Sequence, residues 1–172
     1  SDSNCNNNIT NTTGSGGRLI KYFNSAVNLS NETLSELILC NADGSSINNI
    51  TIDGSATHKN NGLLLIRTDF STIANVNSSN NRDGIFLLLT NNNTVSFTCD
   101  VADDHGIKNI TLYFGSVSNF KSNKSVEFSG TNTLTNITTF TVQNVANGSY
   151  WWNCLAYDYD NNANWAYKNK SF

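Results

Sequence analysis

The sequence contains no proline and no methionine, and charged residues fill only 13% of its 172 positions. Without proline no reversal can rely on a ring-locked φ, so bends fall to Gly, Asn, Asp and Ser. Thirteen acidic residues against ten basic ones give a net charge of -3, which leaves no electrostatic footprint for nucleic acid. No apolar run approaches the roughly 20 residues of a membrane-spanning helix. Catalytic material is also scarce, with two His and three Glu and no G-x-S-x-G, P-loop or H-E-x-x-H. Asp53, His58, Lys59, Arg67, Asp69, Arg82 and Asp83 could be assembled into a cleft for acidic polysaccharide. Glycoside hydrolysis, however, needs paired carboxylates at a set separation, and the sequence shows none. The expectation is therefore no enzyme, no nucleic-acid partner and no membrane span.

What the chain has in excess is small polar residues: 32 Asn, with 38 Ser and Thr. Low charge with such a composition can mean disorder. Against that, 38% of residues are hydrophobic, mostly β-branched, aromatic or Leu in short runs, which is enough for a core. The polar excess is arranged as N-x-[S/T] acceptors at Asn8, Asn11, Asn28, Asn31, Asn49, Asn77, Asn92, Asn109, Asn123, Asn136, Asn147 and Asn169. Composition alone gives about seven, so twelve is an excess. The four cysteines form no CxxC pair, which suits disulfides better than zinc. The opening "SDSNCNNNIT" has neither initiator Met nor apolar leader core, so any signal peptide is expected to be gone already. Together these features predict an extracellular or cell-surface protein carrying N-linked glycans.

Two hydrophobic patterns divide the chain. In the first half "SINNITI" (46–52) superposes on "TIANVNS" (72–78) at an offset of 26, and "NGLLLIR" (61–67) on "DGIFLLL" (83–89) at 22. A repeat in the low twenties, with Asn-rich corners between short apolar strands, points to a β-solenoid. In the second half Val95, Phe97, Cys99 and Val101 alternate, as do Ile110, Leu112 and Phe114, with further strands in "NITTFTV", "SYWWNCLAY" and "NWAYK". Short strands with frequent turn signals predict a sandwich. The expected domains are 1–92 and 93–172. Four cysteines allow three pairings. Joining Cys5 to Cys40 and Cys99 to Cys154 keeps each bridge within one half, and the 55-residue spacing of the second suits an inter-sheet bridge between the second and sixth strands.

The run "NNGLLLI…ANVNSSNNRDGIFLLLTNNN" resembles the right-handed parallel β-helix repeats of NosD-type and carbohydrate-binding surface proteins. The second half, with "W-x-C-x-A-x-D" near its end, is similar to the small immunoglobulin-like modules of archaeal and bacterial surface proteins. The combination resembles an archaeal-type cell-surface or filament protein. The resemblance implies an all-β chain, a short right-handed parallel β-helix followed by an Ig-like β-sandwich. It departs from antibody domains in having no Trp on the third strand, where Trp152 would instead pack against the disulfide.

Four residues carry the first candidate interface. If Leu63, Leu65, Ile85 and Leu87 point inward, then Leu64, Ile66, Phe86 and Leu88 point outward on adjacent coils, covered by the other half or by another subunit. A short solenoid also has two ends to close, and end-on stacking of copies would make a homopolymer. A second cluster, Asp103, Asp104, Asp158, Asp160 and Asn162, lies in loops expected at one end of the sandwich, with Ca²⁺ as the candidate ligand and turn chemistry as the alternative. The aromatics Trp151, Tyr157, Tyr159, Trp165 and Tyr167 could stack on sugars or simply pair across strands. The expected function is a glycosylated, disulfide-stabilised filament or appendage subunit that self-associates. The alternative is a carbohydrate-binding adhesin module whose partners are glycans or other surface components.

Overall fold

The computed structural model describes residues 3–55, 57, 60–130, 133–166 and 170–171. Their backbone is mostly strand (61%), in several sheets, with only three-residue 3₁₀ turns for helix. No helix among the described residues is long and apolar enough to cross a membrane. The chain forms two compact units, one of residues 1–95 with 142–148, the other of residues 96–141 with 149–171. The sequence-based division placed 142–148 in the second half, whereas here it groups with the first.

The first unit alternates between two parallel sheets. β1 (Ile20–Phe23), β3 (Glu36–Cys40), β5 (Asn61–Ile66) and β7 (Asp83–Leu88) make one. β2 (Asn28–Leu34), β4 (Ser46–Asp53), β6 (Thr72–Ser79) and the start of β8 (Asn93–Ala102) make the other. Ile47 pairs with Ile73, Ile50 with Val76, and Leu63 with Ile85, the registers that the repeat offsets predict. Parallel pairing brings like onto like, so Leu37 and Leu63, and Leu39, Leu65 and Leu87, stack as fully buried columns. From the facing sheet Leu29, Ile47, Ile73 and Val95 fill the same core.

Asparagine shapes the strands of the second sheet. Asn31, Asn49 and Asn75 occupy equivalent places and have left-handed φ of 59°, 52° and 51°, and the pairing register skips each of them. A short carboxamide tolerates this conformation better than a branched side chain does, so each strand bends there at low cost. The amides also bond along the stack: Asn49 Nδ2 donates to Asn31 Oδ1 at 2.7 Å, and Asn75 Nδ2 to Asn48 Oδ1 at 3.0 Å.

The bends 41–45, 67–71 and 89–92 repeat one hydrogen-bond scheme. Asn41 N–H donates to the Ile66 carbonyl, and Arg67 N–H to that of Leu88. Inside the bend runs a buried polar ladder. Val27 N–H donates to Ser45 Oγ (3.1 Å), Ser45 N–H to Ser71 Oγ (3.1 Å), and Ser71 N–H to Asn93 Oδ1 (2.8 Å), while Asn93 Nδ2 donates to the Thr68 carbonyl (3.0 Å). Ser45, Ser71 and Asn93 are all buried, so the backbone groups at the turn find partners where water does not reach.

The second unit opposes two sheets. One holds the rest of β8 beside β11 (Thr135–Val145), where Ser96 meets Thr141 and Thr98 meets Thr139 through their hydroxyls. The other is the antiparallel set β9 (Ile107–Gly115), β10 (Lys121–Glu127), β12 (Trp151–Asp158), β13 (Ala163–Trp165) and β14 (Lys170–Ser171). The Cys99–Cys154 disulfide joins the two sheets, and Phe97 packs on Trp152 and Phe114 at centroid distances of 5.0 and 5.4 Å. The bridge is inter-sheet, but its cysteines lie on the first and fifth strands of this unit rather than the second and sixth.

Candidate functional site

The first unit has two chemically different outer faces. On the sheet β1-β3-β5-β7, side chains one register step from the buried columns point outward. Tyr22, Ile38, Leu64 and Phe86 are consecutive partners there, as are Cys40, Ile66 and Leu88. Leu64, Ile66 and Phe86 are half-buried, and Leu88 is exposed. The N-terminal segment covers one end of this stripe, because Cys5 is bonded to Cys40 and the Tyr22 hydroxyl donates to the Cys5 carbonyl at 2.7 Å.

Two exposed apolar residues on the bend were not anticipated. Phe70 is 66% exposed and Leu89 53%, and both have left-handed φ of 54°. The positions equivalent to Phe70 hold Gly44 and Asn92, residues suited to that backbone. The offsets of 26 and 22, applied to the corners as well as to the strands, would have flagged a phenylalanine in a glycine place. A bulky residue held in this conformation and turned to solvent is an outlier of the kind that marks function.

The outer face of β2, β4 and β6 is polar instead. Asn28, Ser46, Thr72 and Thr94 form one outward row, and Thr33, Thr51 and Asn77 another. Glycosylation acceptors cluster here: Asn28 and Asn31 on β2, Asn49 on β4 and Asn77 on β6, all exposed, while the exposed Asn92 lies on the bend between β7 and β8. Asn8, Asn11, Asn123 and Asn147 are also exposed, Asn109 and Asn136 are half-buried, and Asn169 lies outside the described residues. Thr138 Oγ1 donates to Asn136 Oδ1 at 2.6 Å, and the Asn109 oxygen is buried with no partner among the described residues. No acceptor lies on β1, β3, β5 or β7.

In the second unit the two acidic loops meet, since Tyr159 N–H donates to the Gly106 carbonyl and Lys108 Nζ to Asn161 Oδ1 at 2.6 Å. The five candidate calcium ligands nevertheless do not converge as a set. Both Asp158 oxygens are occupied by Asn162, whose N–H and Nδ2 each donate at 2.7 Å. That side-chain amide is the main reason the Asp158 carboxyl titrates below its usual range. Asp103, Asp104 and His105 do bring their ligand atoms within 4.8 Å of one another. The His105 ring bonds Asp104 at 2.7 Å, which raises its pKa, while Asp103 accepts the His105 N–H. These bonds are also those of ordinary Asp turn chemistry, the alternative that the sequence leaves open.

Beside the disulfide, a cleft of about 570 Å³ opens between β8 and β13, lined by Cys99, Val101, Trp152, Tyr157, Asn164 and Trp165 among others. Trp165 is 44% exposed and meets Tyr113 edge-on at 4.6 Å across the intervening strand β12. Trp151 and Tyr159 are half-buried, and Tyr167 is outside the described residues.

The residues considered for a polysaccharide cleft are separated. Asp53 is held by Arg18 at 3.0 Å and by Asn80, and Arg82 pairs with Asp83 at 2.9 Å, all where the β5 and β7 strands begin. Arg67 and Asp69 sit at the bend where β5 ends, and Asp69 Oδ1 is taken by the Asn91 N–H at 2.6 Å. His58 and Lys59 lie outside the described residues. No family model, curated protein or solved structure matches the chain.

Proposed function

We propose that this chain is a structural module of an extracellular surface or appendage, N-glycosylated and disulfide-stabilised, which associates with copies of itself. The first unit is read as a short β-solenoid of the NosD-like kind and the second as an Ig-like sandwich with a displaced disulfide. One observation carries the reading. The outer face of β1-β3-β5-β7 is apolar and free of glycan acceptors, while the acceptors of the same unit crowd the face of β2, β4 and β6. Sugars there would keep the polar face solvated and leave the stripe of Leu64, Ile66, Phe86 and Leu88 as the contact. Phe70 and Leu89 continue it only as far as the bends, where the acceptors Asn92 and Asn147 begin. Association is lateral in this reading, because residues 142–148 close one end of the column.

The test is the oligomeric state of glycosylated protein by analytical ultracentrifugation across a wide concentration range. Phe86→Ser with Leu88→Ser should abolish self-association without loss of strand signal in circular dichroism. A strictly monomeric wild type would remove the proposal. The cleft beside Cys99–Cys154 favours a second reading, a carbohydrate-binding module, because it combines exposed indole with amide side chains. Glycan-array binding that is lost in Trp165→Ala would favour it.

A further inference from the structure

The inward positions of the first rung break the pattern of every later one. Along the β1-β3-β5-β7 sheet the series is Lys21, Leu37, Leu63, Ile85; along the facing sheet it is Glu32, Ile50, Val76. Where later rungs place aliphatic side chains in the core, the first places a cation and an anion. The two meet across the interior, with Lys21 Nζ at 2.6 Å from both Glu32 oxygens, and each side chain keeps about a quarter of its surface in water (28% for both). The rest of the rung is apolar, with Leu29 and Leu34 buried.

We infer that the Lys21–Glu32 pair is a guard that keeps a second copy from stacking on the N-terminal end of the column. β1 and β2 are the outermost strands of their sheets, and although Thr12 and Thr13 pair with Ile20 and Leu19 at the start of β1, an outermost strand is a template for another chain. A copy docking there could offer only its own first rung, since its other end is closed, so two partly hydrated ion pairs would leave water together and desolvation opposes the contact. Inward-pointing charge is a recognised way of blunting a sheet edge. The acceptors Asn28 and Asn31 sit on the same edge strand, so sugars would guard the backbone while the ion pair guards the interior. At the opposite end the column is closed by a returning segment of its own chain. Residues 142–148 return to this unit, Gly148 bridges Leu87, and Val145 is buried. The inference rests on the reading of lateral self-association only in that it explains why association would be lateral rather than end-on.

The experiment replaces the pair by the residues of later rungs, Lys21→Leu with Glu32→Ile, and measures mass by light scattering with negative-stain imaging. The weight-average mass should rise with concentration toward twice that of wild type, with end-to-end pairs in the images. Lys21→Met with Glu32→Gln, close to the original side chains in length, serves if the first variant does not fold. The exchanged pair Lys21→Glu with Glu32→Lys should behave as wild type. Each is repeated in the Phe86→Ser, Leu88→Ser background, where the gain must persist, since a gain that vanishes there belongs to the lateral face. A folded, uncharged variant with the mass of wild type at every concentration overturns the inference, whatever the lateral contact does.

Discussion

The side-chain oxygen of Asn147 accepts the Leu89 N–H at 3.0 Å, in the place where the two preceding bends receive a main-chain carbonyl from the next rung. Asn41 and Arg67 are served by Ile66 and Leu88, but Leu89 has no following rung, and a carboxamide from the returning segment stands in for one. Asn147→Ala should cost about 1 kcal/mol, the net worth of an ordinary hydrogen bond. Hydrogen exchange at the Leu89 amide should speed up while the Leu63 amide stays protected. Equal acceleration at both would mean that the segment holds up the whole unit rather than its last bend.

Asn93 has a heavier task. It accepts from Ser71 N–H and donates to the Thr68 carbonyl, and all three residues are buried. Asn93→Leu strands one donor and one acceptor away from water and should destabilise the first unit by about 2–4 kcal/mol. Asn93→Asp retains the acceptor and should fall between the two. Urea unfolding followed by circular dichroism separates the three; an unchanged midpoint for the leucine variant would show the ladder to be dispensable.

Phe70 is held in a left-handed backbone, at 66% exposure, where its equivalents are glycine and asparagine. Phe70→Gly, the residue at the equivalent position 44, should raise stability by about 0.5–1 kcal/mol, since glycine adopts this conformation without a side-chain clash. The same change should weaken self-association. A gain in melting temperature with less association would mark a residue retained for contact at the expense of stability. A loss of melting temperature would show that the ring packs better than its exposure implies.

Asp158 predicts an acid limb in the stability of the second unit. Hydrogen bonds from Asn162 hold its carboxyl below the ordinary aspartate range, so as pH falls the unfolded chain takes up the proton first. The stabilisation is complete above about pH 3.9 and is lost as pH drops through the lower folded value. His105 runs the other way. Asp104 raises its pKa, so its contribution is full below about pH 6.5 and disappears as pH rises through the folded value. Asp158→Asn should flatten the acid limb of melting temperature against pH and leave the neutral limb intact; an unaltered acid limb would assign it to other carboxylates.

The repeat was readable where like residues stack on like. Ile47 on Ile73 and Leu63 on Ile85 announced their pairing because a parallel register repeats the side-chain pattern without reversing it. The first rung was hidden for the same reason, because Lys21 and Glu32 occupy inward places and the offsets to the next rung are shorter, Ile20 with Glu36 and Asn28 with Ser46. Ser45, Ser71 and Asn93 look like loop residues in the sequence, and only the backbone around them shows that they are core. The return of residues 142–148 joins parts of the chain more than fifty residues apart, a distance at which local pattern carries no information. In the second unit alternation gave β8, β9, β11 and β12 but not β10, whose residues are all exposed, and strand order depends on connections that hydrophobic period does not encode.

The two kinds of corner in the first unit differ in one respect with a practical outcome. Those at 41–45, 67–71 and 89–92 are nearly constant in length and tied together by shared hydrogen bonds. Those on the other side run from a single residue, Ser35, to the stretches 54–60 and 80–82, yet the flanking strands keep their registers. Spacing is thus fixed along one ridge and left open along the other. The permissive ridge is a natural socket for foreign peptide, where an epitope or enzyme tag could be spliced in while the strands on either side stay in step.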